Sequence, residues 1–116
     1  MLAAAGLALA LSVPSPLRAQ FLTATVSVGN RPTAVAVNPV TNKIYVTSTT
    51  SSNSVTVIDG VTRATSTVSV GMDPLAIAIN TATNKIYVTN DFSNSVTVID
   101  GATNATTTIA VGANPQ

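Results

Sequence analysis

The sequence predicts an all-β fold of β-propeller blades, each a wedge of four antiparallel strands, and three observations carry that reading. Residues 42–60 (NKIYVTSTTSSNSVTVIDG) return as residues 84–101 (NKIYVTNDFSNSVTVIDG) with one residue fewer in the middle. A Gly-x-x-Pro turn recurs at Gly29, Gly71 and Gly112, spaced by 42 and then 41 residues. Each repeat holds four short alternating runs rich in Val, Ile, Tyr and Thr, separated by Gly, Asn, Asp and Ser, the pattern of strands joined by turns. Four such strands in about 42 residues match the length of one blade and exceed a solenoid coil with one strand per turn. The division expected is a secretory signal peptide over residues 1–20 and a partial propeller over 21–116. Within it, repeat 1 spans about 29–70, repeat 2 about 71–111, and a third begins at 112–116.

Residues 1–13 are almost wholly Ala, Leu and Gly, followed by Pro14, Pro16 and a small residue, Ala19, at a cleavable position. An apolar run of that length is well short of the roughly 20 residues that span a bilayer, so it reads as a bacterial export leader. The leader lacks the usual basic start, since no Lys or Arg precedes the run. The expected address is secreted, periplasmic or cell-surface, with no membrane span after cleavage.

Residues 21–28 (FLTATVSV), 64–70 (ATSTVSV) and 105–111 (ATTTIAV) read as three copies of one strand. Thr and Ser on both faces suit the solvated outer edge of a blade. After Gly-x-x-Pro comes TAVAVN (33–38), repeated as LAIAIN (75–80). Val35 and Val37 point one way and Ala34 and Ala36 the other, so both faces are apolar and a neighbouring sheet is expected over each. Small Ala side chains place this strand innermost, where blades converge on the axis.

The next strand, KIYVT, puts Ile44 and Val46 on one face and Lys43, Tyr45 and Thr47 on the other. A polar loop leads to SVTVID, where Val55 and Val57 oppose Thr56 and Ile58. Asp59 and Asp100 are expected to accept backbone N–H bonds in the following turn, with Gly60 and Gly101 taking positive φ. Asn104-Ala105-Thr106 fits a glycosylation sequon but reads as a turn.

Tyr87-Val88-Thr89-Asn90, NKIYVT, SNSVTVIDG, Gly101-Ala102-Thr103-Asn104 and the VG-x-x-P turn together resemble the YVTN family of β-propeller repeats. The resemblance covers about residues 25–115, with Ser48 in the first copy where the family tetrad has Asn. It implies a domain of usually seven blades, acting as an extracellular binding or surface-layer structural module. Similar propellers include electron-transfer and amine-oxidising enzymes, whose chemistry rests on metal or cofactor ligands.

The chain has no Cys, His or Glu, which removes disulfides, thiolate nucleophiles, zinc clusters and the usual general base. A net charge of +1 gives no basic patch for nucleic acid. The function expected is therefore a non-catalytic module without cofactors, binding a protein, glycan or envelope component. The alternative is part of a propeller enzyme whose cofactor ligands lie in other blades.

Residues identical in both repeats, such as Tyr45, Tyr87, Asp59 and Asp100, are read as buried anchors and turn formers. Specificity is expected where the copies differ, in loops on a rigid scaffold. Arg31 and Asp73 occupy one such loop and Asp91 and Phe92 another, so these four form the expected partner-contact rim.

Two repeats with an extra outer strand make nine strands, and two blades do not encircle an axis. The chain is accordingly expected to be a fragment whose end sheets require missing blades or self-association to cover them.

Overall fold

The computed structural model describes residues 24–113. Eight strands occur among them: β1 (Pro32–Asn38), β2 (Lys43–Ser48), β3 (Ser54–Asp59), β4 (Thr65–Ser69), β5 (Pro74–Asn80), β6 (Lys85–Asn90), β7 (Ser95–Asp100) and β8 (Thr106–Ala110). They form two four-stranded antiparallel sheets in sequential order, β1-β2-β3-β4 and β5-β6-β7-β8. The all-β fold with four-stranded antiparallel sheets agrees with the sequence reading. The leader expected over residues 1–20 lies outside the described residues.

Ladder register fixes which side chains share a face. In the first sheet Ala34, Thr47, Val55 and Val68 align across the strands, as do Ala36, Tyr45, Val57 and Ser66. In the second sheet Ile77, Val88, Thr97 and Thr108 align, as do Ile79, Ile86, Ile99 and Thr106. These two faces meet. The core is formed by Tyr45, Val55, Val57 and Val68 from one side and Ile86, Val88 and Ile99 from the other, with Ile77 and Ile79 packed against it. Ala on β1 lets β5 approach closely, and β1 and β2 are the strands of the first sheet that contact β5. The outermost strand, β8, is exposed along its whole length. Slim inner strands and Thr-rich outer strands are the wedge that propeller blades require.

Each sheet packs on the other by one face, and on the opposite face of the first sheet Thr56 and Ile58 of β3 are nonetheless buried. Val35 and Val37 are 63% and 57% exposed, because the side of β1 that bears them has no sheet over it. Tyr87, expected as a buried anchor like Tyr45, is 39% exposed for the same reason on the opposite side of the second sheet. Tyr45 is fully buried, and its hydroxyl has no hydrogen-bond partner.

The outer strand expected over residues 21–28 is not formed in its described part, since residues 24–28 join no ladder. Eight strands, rather than nine, are therefore present among the described residues.

The turns follow the chemistry of Asn and Asp. Asp59 Oδ1 accepts from the N–H groups of Val61 and Thr62 at 2.8 and 2.9 Å, and Asp100 Oδ1 accepts from Ala102 N–H at 2.8 Å. No glycine takes positive φ among the described residues. That conformation falls instead on Arg63 and Asn104 at the end of the same turn. Gly60 and Gly101 are required for a different reason: a Cβ on either would collide with the side chain of Asn42 or Asn84.

Candidate functional site

The loops before β1 and β5 and the loops after β2 and β6 emerge at the same end of the two blades and are tied to one another by backbone bonds. Thr49 N–H donates to the Arg31 carbonyl (3.1 Å), Asp91 N–H to the Asp73 carbonyl (3.0 Å) and Phe92 N–H to the Met72 carbonyl (3.2 Å). Beneath them, Gly29 and Gly71 sit against Ser48 and Asn90, where a Cβ would come within 2.8 Å of side-chain carbons. That close approach lets each turn lie flat on the strand that carries the next loop.

Asn90 shows what the last tetrad position does. Its Nδ2 donates to Ser95 Oγ at 3.2 Å and Thr97 Oγ1 at 2.9 Å, clamping β6 to β7 under the loop. Ser48 is too short to repeat this, and its hydroxyl is buried without a partner. The first loop is also one residue longer, and it turns through Thr50 at φ 58°. A β-branched residue there is strained, and such strain concentrates where loops are held for a purpose.

Two bonds cross between the blades at this end. Asp73 N–H donates to Asn53 Oδ1 at 3.0 Å, and Thr33 Oγ1 donates to the Pro74 carbonyl at 2.8 Å. Between the loops lies a cleft of ≈ 460 Å³ lined by Arg31, Thr33, Thr49, Thr50, Asn53, Met72, Asp73, Leu75 and Phe92. Three of the four expected rim residues, Arg31, Asp73 and Phe92, thus line one cleft. Asp91 does not line it. One Asp91 carboxylate oxygen is buried without a partner, because its loop folds back toward Asp73.

Arg31 and Asp73 occupy equivalent loop positions, both with positive φ (50° and 58°), and their side chains form no ion pair with each other. With backbone groups committed to neighbouring loops, a guanidinium and a carboxylate are left facing the cleft beside Met72, Leu75 and the 72% exposed Phe92. This arrangement presents charge at two points of the cleft and an apolar surface at a third. Met72 and Leu75 were legible by the same criterion as the rim residues, since Asn30 and Thr33 stand at those positions in the first copy.

Among the described residues there is no group of three or more acidic residues placed to hold a metal ion. The carboxylates with displaced acidity lie at the other end of the blades. Backbone N–H bonds from Thr62 and Val61 hold Asp59 below the ordinary carboxylate range. The Lys85 ammonium, 3.0 Å away, does so for Asp100, with a backbone bond from Ala102 adding to it.

No family model and no curated protein matches the chain. Solved structures do. Hydrazine synthase of Kuenenia stuttgartiensis matches over 80% of this chain and 27% of its own, at 28% identity and a TM-score of 0.67. AztD of Citrobacter koseri, solved in its apo form, matches over 78% of this chain and 27% of its own, at 25% identity and a TM-score of 0.66. A 6-phosphogluconolactonase-like protein of Bacteroides fragilis matches over 81% of this chain and 30% of its own, at 17% identity and a TM-score of 0.58. All three are β-propeller-type folds. The chain spans less than a third of the length of each.

Proposed function

We propose that the chain belongs to a non-catalytic extracellular β-propeller module of the YVTN repeat type, and that it binds cell-envelope material at the cleft between its blades. The observation that carries this reading is the convergence of Arg31, Asp73 and Phe92 on one cleft. These are residues by which the two repeats differ, held by loops whose own backbone groups are already bonded. A sequence without His, Cys or Glu supports binding over bond-breaking, and the apolar leader supports export. Binding of the purified chain to isolated cell envelopes tests the site. Arg31→Ala combined with Phe92→Ala is expected to weaken binding at least tenfold, and unchanged binding would remove the cleft from consideration. Intact-mass measurement on exported protein tests the address, since loss of about the first 19 residues is expected of a cleaved leader.

A second reading is favoured by the 28% identity to hydrazine synthase, a protein named for an enzymatic activity. In that reading the chain is part of a propeller enzyme whose cofactor ligands come from other blades. A longer reading frame with a Cys-x-x-Cys-His haem site or a His-rich copper site separates it from the first.

A further inference from the structure

The contact between the two blades is a template for a second contact that the chain leaves open. The face of the first sheet that points away from the core carries Val35, Val37, Ile44, Val46, Thr56 and Ile58, with Thr65 and Thr67 at its edge. It is the repeat equivalent of the face that the second sheet turns inward. The outward face of the second sheet, centred on Ala76, Ala78 and Tyr87, is likewise the equivalent of the face that the first sheet turns inward. At opposite ends the molecule therefore carries both halves of an interface it already makes internally, exposed at Val35, Val37, Ala78 and Tyr87 but buried at Thr56 and Ile58.

The two halves match their internal counterparts closely. Of the sixteen aligned positions, four differ. Val35 and Val37 stand where the inner interface has Ile77 and Ile79, each one methylene smaller. On the other half, Ile109 and Thr107 of the outermost strand stand where the inner interface has Val68 and Ser66, each one carbon larger. The losses lie on the innermost strand and the gains on the outermost, so each is a separate one-carbon change.

The polar contacts transfer in part. Asn38 Nδ2 donates to Asn84 Oδ1 between the blades at 3.2 Å, and the equivalent pair across the open interface is Asn80 with Asn42, both retained. The bond from Thr33 Oγ1 to the Pro74 carbonyl does not transfer, because Leu75 replaces the donor. The incoming β8 meets residues 24–28, which flank a hollow with Thr56, Thr65 and Thr67. That segment joins no ladder, so moving it breaks no ladder hydrogen bond.

We infer that the open face of the first sheet is a docking surface for the open face of the second sheet of another copy of this chain, head to tail. Such a heterologous contact leaves one free half at each end, so association continues until a ring closes or a filament grows.

Two variants of the full chain test this by complementation. Val35→Asp with Val37→Asp blocks one half, and Ala78→Arg blocks the other, all at surface positions. Val61→Asp, in an exposed turn off both faces, is the control and assembles like the unsubstituted chain. In analytical ultracentrifugation, the unsubstituted chain gains mass with concentration and each blocked variant sediments as a monomer. An equimolar mixture of the two gives a heterodimer that grows no further. Far-ultraviolet circular dichroism of each blocked variant confirms its strands before mixing. A monomeric unsubstituted chain at all concentrations overturns the inference. So does a folded blocked variant that dimerises alone, which marks a like-with-like contact, or a mixture of folded variants that stays monomeric.

Discussion

Tyr45 and Tyr87 hold the same place in successive repeats, and the difference between them separates what a residue is from where its neighbours stand. Tyr45 is sealed between the sheets with its hydroxyl unpaired, whereas Tyr87 keeps contact with water. A buried hydroxyl without a partner carries a desolvation cost of about 1–3 kcal/mol. Tyr45→Phe is therefore expected to leave stability unchanged or raise it by about 1 kcal/mol in denaturant unfolding, and a clear loss would show that the hydroxyl has a partner in solution. Gly101 gives the opposite case. Gly101→Ala forces the Asn84 side chain aside and is expected to cost about 1–3 kcal/mol, while Gly112→Ala, with open space around it, is near neutral. The turn carboxylates set a pH dependence. Asp59 and Asp100 are held below the ordinary value of 3.8, so the stability they contribute is complete above that value and is lost as pH falls through their lower folded values. Asp100→Asn should flatten this acid limb, measured as the midpoint of acid unfolding. Asp as a turn acceptor was legible from Asp-Gly in the sequence. The role of the glycine was not, because the colliding Asn84 belongs to a different loop and only the folded register brings it near.

At the level of strands, the alternation of side chains carried most of the information. Val55 and Val57 opposite Thr56 and Ile58, and Tyr45 opposite Ile44, lie on the faces that a two-residue period assigns. The bulge at the start of each inner strand was not visible in the pattern. Pro32 pairs with Ser48 and Ala34 with Thr47, so Thr33 is an extra residue, and it is this displaced residue that reaches the other blade. Residues 24–28 were misread because their text matches β4 and β8, yet a strand exists only where another strand supplies hydrogen bonds. Radial order is the testable consequence of the inner Ala residues. Ala36 lies on the face turned toward the second sheet, so Ala36→Leu overpacks that contact and is expected to cost about 1–3 kcal/mol. Thr65→Leu, on the exposed outer strand, should cost much less. Equal tolerance at the two sites in chemical denaturation would reverse the inner and outer assignment.

For the molecule as a whole, stability is close to a sum of two blades and the one interface between them, as in other repeat arrays. The cleft illustrates how site and fold share that interface. Arg31 comes from the first blade and Asp73 and Phe92 from the second, so its shape depends on the same packing that buries Tyr45 and Ile86. Sequence comparison of the two repeats found the loops, but not that Asp91 turns away while Phe92 lines the cleft, a matter of one residue's direction along a turn. The same packing bears on how copies associate. The centres of the open faces are Val, Ile, Ala, Thr and Tyr, and the charged pairs Lys43 with Asp59 and Lys85 with Asp100 sit only at strand ends. A net charge of +1 supplies little repulsion between copies. Association through such faces is apolar, and apolar attraction weakens on cooling and strengthens in sulfate. Mass measured by light scattering is therefore expected to fall on cooling, to rise with added sulfate, and to persist when sodium chloride screens exposed charges. Dissociation by sodium chloride would place the contact on charged loops such as those bearing Arg31 and Asp73, away from the sheet faces.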